Sequence, residues 1–143
     1  MRELRTEIQI SSTPDMVWNK LMDFPSWPNW NPIVNKIEGN VEIGSELSIT
    51  MSDSKGKDAK NYKSIITAID ENKRFSFNAT MIAKFMFSAE RIIELKESQE
   101  GTLFIQREIY AGLMVPIFWK KLSKDALLML HSMNKALKKE VEK

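Results

Sequence analysis

Arg91 and Glu108 stand in two alternating segments joined by the turn-forming run Ser98 to Gly101, and that turn decides whether the two charges meet. Directly opposed residues of an antiparallel hairpin share a face. Counting outward from the turn, Glu97 faces Thr102, Leu95 faces Phe104, Ile93 faces Gln106, Arg91 faces Glu108 and Ala89 faces Tyr110. Phe85 and Phe87 fall on the same side, which is the more aromatic one and so is expected to be concave and inward. An inward Arg91–Glu108 pair beside Gln106 and Tyr110 has two readings. In one it is structural, because two charges leave water at high cost unless they pair and hydrogen-bond well. In the other, Arg91 grips a carboxylate, enolate or phenolate while Glu108 accepts or shuttles a proton. A one-residue slip would turn both outward.

Other chemistries lack their residues. The chain has no cysteine and a single histidine, His131, which falls on a helical wheel with Lys124, Asn134 and Lys135 and reads as solvated. Neither a metal cluster nor a nucleophile–histidine triad can be assembled from that set. The five glycines are scattered and form no phosphate-cradling loop, so no nucleotide or other cofactor is implied. With 21 Lys and Arg against 19 Asp and Glu, the +2 balance gives no footprint for nucleic acid.

The elements that position these residues follow from periodicity. A chain of 143 residues is expected to form a single domain over 1–143, burying about two thirds of its unfolded surface. Leu4, Ile8 and Ile10 alternate with Arg5, Glu7 and Gln9, predicting a strand wet on one face. Thr13 offers an N-cap hydroxyl and Pro14 suits the first helical position. A short helix follows, burying Val17, Trp18 and Leu21. Phe24-Pro25 and Trp27-Pro28 then set a compact aromatic turn or second short helix ending at Asn31-Pro32, with Trp18, Trp27 and Trp30 as packing residues.

Turn chemistry separates six further strands, near 33–39, 45–51, 61–70, 74–81, 84–97 and 102–110. The lysine-rich stretch Met51 to Asn61 reads as a solvated hairpin loop. After Gly112 the period changes. Val115, Phe118, Trp119, Leu122, Ala126, Met129, Leu130, Met133 and Leu137 recur at three- and four-residue steps, with Lys120, Lys121, Lys124, Asn134, Lys135 and Lys138 opposite. This predicts a helix of roughly 24 residues lying along the sheet. The longest apolar run, Ala111 to Trp119, holds Gly112 and Pro116 and is far short of the ~20 residues of a spanning helix. With no cysteine and no signal-peptide pattern after Met1, the expected home is cytoplasmic and no stable membrane insertion is expected.

Val17-Trp18 with Leu21 and Asp23-Phe24, then Trp30-Asn31-Pro32, the glycines Gly39 and Gly44, and Gly101-Thr102 followed by Gln106, Glu108, Tyr110 and Gly112 together resemble the START-like (SRPBCC) superfamily, the birch-pollen-allergen-like fold. Within it the chain is most similar to the bacterial polyketide cyclase/dehydrase and lipid-transport group. The resemblance implies an α+β helix-grip fold: a seven-stranded curved antiparallel sheet wrapped around a long C-terminal helix, with two short helices between strands 1 and 2. It also implies a cavity between sheet and helix for a lipid, isoprenoid or polyketide-like ligand, with catalysis in only some members.

The expected lining is Phe85, Phe87, Phe104, Tyr110, Leu122, Met129 and Met133, with Phe118 and Trp119 at a mouth near Met114. Arg91, Gln106 and Glu108 would supply polarity. Carriage or binding is the leading expectation. The first rival is a cofactor-independent cyclase or dehydratase in which Arg91, Glu108 and Tyr110 steer enolisation and loss of water. The second is a protein-binding module like the START-like activators of a chaperone ATPase, for which only the off-stripe Leu128 speaks.

Overall fold

The computed structural model describes residues 1–80 and 85–143, without the side chain of Thr80. Strand β1 (Arg2–Ile10) leads into α1 (Pro14–Met22), a 3-10 turn (Phe24–Ser26) and the single-turn α2 (Trp27–Trp30). Strands β2 (Val34–Glu38), β3 (Glu46–Met51), β4 (Lys60–Asp70), β5 (Arg74–Thr80), β6 (Ser88–Ser98) and β7 (Gly101–Ala111) follow, and α3 (Val115–Val141) closes the chain. The outer ends of two predicted strands, at residues 81 and 84, lie outside the described residues.

All seven strands form one antiparallel sheet in the order β1-β7-β6-β5-β4-β3-β2. Each strand from β2 to β7 thus pairs with its sequence neighbour, while β1 crosses to the far side of β7. The sheet curves around α3, whose 27 residues span about 40 Å at 1.5 Å per residue. The β6–β7 hairpin turns at Ser98↔Gly101 and keeps the predicted parity, with Arg91 opposite Glu108 and Ala89 opposite Tyr110.

One expected detail fails at each of two helices. Thr13 has the extended backbone of an N-cap but its hydroxyl makes no capping bond; its carbonyl accepts from Val17 N at 3.1 Å instead. Asn134, expected on the wet side of α3, is 1% exposed. It lies on the same stripe as Ala126, Leu130 and Leu137, and its polar head is satisfied internally. Gln106 Nε2 donates to Asn134 Oδ1 at 2.7 Å, and Asn134 Nδ2 donates to Thr6 Oγ1 at 3.0 Å. This buried chain of amides and a hydroxyl ties α3 to β7 and β1, where an apolar pair would only have filled space.

The core divides into two clusters. The larger joins Trp18, Leu21, Phe24, Trp27 and Trp30 to Phe75, Ile93, Phe104, Met133 and Leu137. Trp27 locks that end with an indole bond to Leu21 O at 2.9 Å, an edge contact to Phe24 and a tilted contact to Trp30. The smaller cluster holds Leu4, Tyr110, Val115, Ala126 and Leu130, with Phe87, Ala89, Trp119 and Leu122 packed against it.

Candidate ligand-binding site

Strand register lays the inner face of the sheet out in rows. Nearest the larger cluster, Thr6, Gln106, Ile93 and Phe75 stand side by side. The next row is Leu4, Glu108, Arg91, Phe77 and Ile66, and the one after it Tyr110, Ala89, Ala79, Ser64 and Leu47. Large side chains fill the first row up to α3. In the third row two alanines and a serine cannot reach the helix, and space opens there.

The result is a cavity of about 210 Å³ between the sheet and the middle of α3. Its sheet wall is Ile49, Met51, Tyr62, Ser64, Phe77, Ala79, Phe87, Ala89, Arg91, Glu108 and Tyr110. Leu122, Asp125, Ala126 and Met129 form its helix wall. The wall is mainly apolar, with Arg91 and Glu108 charged on its sheet side and Asp125 on its helix side. Arg91 Nε and Nη2 both donate to Glu108 Oε2, at 2.6 and 2.5 Å, with the two side chains only 10% and 12% exposed. The Tyr110 hydroxyl donates to the other carboxylate oxygen of Glu108. Both oxygens are therefore held, and a guanidinium, a carboxylate and a phenol form one connected unit.

Burial raises the Tyr110 pKa above the ordinary tyrosine value, and the neighbouring Glu108 carboxylate raises it further. A phenolate beside a carboxylate in a poorly hydrated site is unfavourable, so Tyr110 remains a neutral hydroxyl. Tyr62 shifts in the same direction through burial alone.

The β3–β4 loop reaches the cavity's helix wall. Ser54 donates to Asp125 of α3, and Ser52 is buried with its amide bonded to Ile33 O at 2.9 Å. The solvated reading of this loop thus holds for its exposed tip, residues 55–59, and is corrected for its beginning, which is tied down at Ser52 and Ser54.

Of the residues expected around a cavity, the structure brings together Phe87, Arg91, Glu108, Tyr110, Leu122 and Met129. Six stand elsewhere. Phe104 and Met133 are packed into the larger core cluster, and Gln106 is spent on the Asn134 network. Phe85 and Phe118 face outward. Trp119 backs Tyr110 at 5.7 Å between rings, and the Arg2 guanidinium lies over the Trp119 ring, 5.2 Å from its centroid. Ile49, Met51, Tyr62, Ser64, Phe77, Ala79, Ala89, Asp125 and Ala126 also line the cavity, and of these only Ala89 and Ala126 stand on faces that the hairpin parity and the helical stripe turn inward. The alternation of β3 and β4 could have placed Ile49, Tyr62 and Ser64 on an inner face, whereas Asp125 reads only as another wet helix position. Among the described residues no cluster of three or more potential metal ligands occurs, and no helix is long and apolar enough to cross a membrane.

The architecture recurs in solved structures of low sequence identity. Ginseng major latex-like protein 151 from Panax ginseng is 20% identical, with 97% of this chain and 96% of that chain aligned and a TM-score of 0.78. Protein CV1439 from Chromobacterium violaceum is 13% identical over 99% and 97% of the two chains, with a TM-score of 0.77. The di-domain ARO/CYC protein BexL from the BE-7585A biosynthetic pathway is 11% identical, with a TM-score of 0.80. That match spans 99% of this chain but 50% of BexL, so it concerns half of a two-domain protein. At such identities the likeness is one of fold. Among curated proteins, no sequence matches this chain. The family description "Polyketide cyclase / dehydrase and lipid transport" matches residues 1–142, and the chain belongs to that family.

Proposed function

We propose that this protein binds and carries a compact amphipathic small molecule, its apolar body between the sheet and α3 and a polar group against Arg91 and Tyr110. One observation carries the reading: a mainly apolar cavity holds a connected polar unit, Arg91–Glu108–Tyr110, on its sheet wall, with Tyr62, Ser64 and Asp125 the other polar side chains of the lining. Ligand sites of this kind are mostly apolar with a few convergent polar groups that fix orientation. The Glu108 pair engages Nε and Nη2 of Arg91 and leaves Nη1 to meet a carboxylate, enolate or phenolate oxygen. At about 210 Å³ the space lies below the ~300 Å³ at which drug-sized sites begin. That favours a ring-containing isoprenoid- or polyketide-like molecule over a two-chain lipid.

Native mass spectrometry of the protein purified from its own cells, followed by denaturing extraction, tests this. A stoichiometric small molecule is expected, and Phe87→Asp should abolish its retention while the protein stays folded. Unchanged retention in Phe87→Asp would remove the cavity from consideration.

The same polar unit supports a second reading, a cyclase or dehydratase that works without a cofactor. Glu108 would remove a proton alpha to a carbonyl, Arg91 would hold the enolate oxygen, and the neutral Tyr110 hydroxyl would protonate a departing hydroxide. Glu108→Gln distinguishes the two readings. An enzyme loses its turnover together with its pH dependence, whereas a carrier loses only part of its affinity.

A further inference from the structure

The end of the molecule beyond the cavity carries an apolar surface that packing does not explain. Phe85 is 69% exposed, Leu113 73%, Ile117 74% and Phe118 49%. They are neighbours by construction. Leu113 N donates to Phe85 O at 3.1 Å and Met114 N to Met86 O at 3.0 Å, which clamps the turn before β6 to the turn before α3. Gly112 makes this approach possible, since a Cβ there would overlap the Met86 carbonyl and φ is +123°. Leu113 lies in the turn before α3 and Ile117 in the first turn of that helix, both with their side chains exposed.

A cationic rim adjoins this tip. Lys120, Lys121 and Lys124 are exposed on the next turns of α3, and Arg2 lies over Trp119. Residues 109–124 include no Asp or Glu. Among the described residues no carboxylate is within ion-pair distance of Lys120, Lys121 or Lys124, although other lysines of α3, such as Lys138, are paired. Exposed Leu, Ile and Phe beside lysines is the composition of elements that lie in a lipid–water interface. Protein interfaces are instead depleted in lysine.

We infer that the Phe85–Leu113–Ile117–Phe118 tip docks on a membrane surface bearing anionic headgroups, the apolar side chains entering the interface and Lys120, Lys121 and Lys124 meeting phosphates. The attachment is peripheral and reversible. It sets Phe87 and Leu122 of the cavity wall close behind the bilayer surface, where an amphipathic ligand would be exchanged. The docking surface itself is independent of what the cavity holds.

Co-sedimentation with sucrose-loaded vesicles tests the inference. The full chain should sediment with phosphatidylcholine–phosphatidylglycerol vesicles and not with phosphatidylcholine alone. Replacing lysines 120, 121 and 124 by glutamine should weaken binding about fivefold for each charge removed. Leu113→Glu with Ile117→Glu should weaken it at least about tenfold, and because both positions are exposed the far-ultraviolet circular dichroism should not change. The cavity-filling variant Ala89→Leu should sediment like the parent. Absence of binding to either vesicle, or binding indifferent to these charges and apolar residues, would overturn the inference. So would loss of binding in Ala89→Leu, since the vesicles would then be reporting the cavity. A concentration-dependent dimer abolished by the Leu113 and Ile117 changes would reassign the surface to contact between copies of the chain.

Discussion

The two ends of this molecule are built from the same sheet and the same helix, yet one is solid and the other hollow. Beneath Met133 and Leu137 the sheet presents Phe75, Ile93 and Phe104, and α1 and α2 add Trp18, Trp27 and Trp30. Beneath Leu122 and Met129 it presents Ala79, Ala89 and Ser64, and no short helix covers the space. The Thr6–Gln106–Asn134 network lies on the row of Ile93 and Phe75, its bonds holding α3 at a set height over β7 and β1. The comparison teaches that the cavity follows from side-chain volume rather than from a gap in the fold: small residues in one row leave empty what large residues fill two rows away. It also separates labour, with the large buried side chains concentrated at the tryptophan end and the proposed recognition at the alanine end.

Truncation of one large side chain at each end breaks the comparison most severely. Trp27→Ala removes a side chain that is 2% exposed together with its bond to Leu21 O. It should cost about 3–5 kcal/mol of unfolding free energy in urea titration. Leu122→Ala, at the edge of a space already empty, should cost about 1 kcal/mol. Equal losses would mean that the two ends are equally packed.

The Arg91–Glu108 pair is where the hollow end carries a structural liability. Glu108→Leu alone leaves a guanidinium nearly buried and unpaired, which should destabilise the protein by about 3 kcal/mol. Adding Arg91→Met should recover most of that loss, because an apolar pair of similar volume avoids desolvation. The doubly substituted protein would then be stable but without the polar pole of its cavity. Ligand retention should vanish while the unfolding midpoint returns, and a double variant no more stable than the single one would show that the pair holds the sheet together.

Much of this arrangement was legible in the sequence, and the part that was not has a physical reason. The parity of a hairpin is local: once the turn is placed at Ser98 to Gly101, Arg91 must face Glu108, as it does. The 3.6-residue stripe of α3 is equally local. The height at which that helix crosses the sheet is not, being set by contacts between residues distant in the chain. Phe104 and Met133 therefore looked like cavity residues and belong to the solid end, while Ile49, Tyr62 and Ser64, from strands on the other arm of the curve, line the cavity. Asn134 misled for a related reason. Its type suggests water, but its position on the apolar stripe placed it inside, where Gln106 and Thr6 satisfy it.

The two tyrosines of the chain both line the cavity, which ties alkaline behaviour to the hollow end. Burial, and at Tyr110 also Glu108, raises their pKa above the ordinary 10.0. An unfolded tyrosine releases its proton first, so the stabilising contribution is fully present below about pH 10 and is lost as pH rises above it. Stability measured against pH should fall above about pH 10, and Tyr110→Phe should flatten that fall and leave the part due to Tyr62. An unchanged slope in Tyr110→Phe would mean that the phenol is hydrated.

The smallest effect on stability is expected from making the hollow end resemble the solid one. Ala89 stands between Ala79 and Tyr110 in the third row, where the first row has Ile93 between Phe75 and Gln106. Ala89→Leu places the missing volume in the cavity. Burying the added methylenes is favourable by about 1.5–2 kcal/mol, and fitting them beside Tyr110 and Leu122 costs about as much in strain. The unfolding free energy should therefore move by less than about 1 kcal/mol, while retention of the small molecule is lost. Loss of binding at constant stability would place recognition in the empty volume. A variant that keeps its ligand would locate binding at the polar pole alone, since Ala89→Leu leaves Arg91, Glu108 and Tyr110 in place.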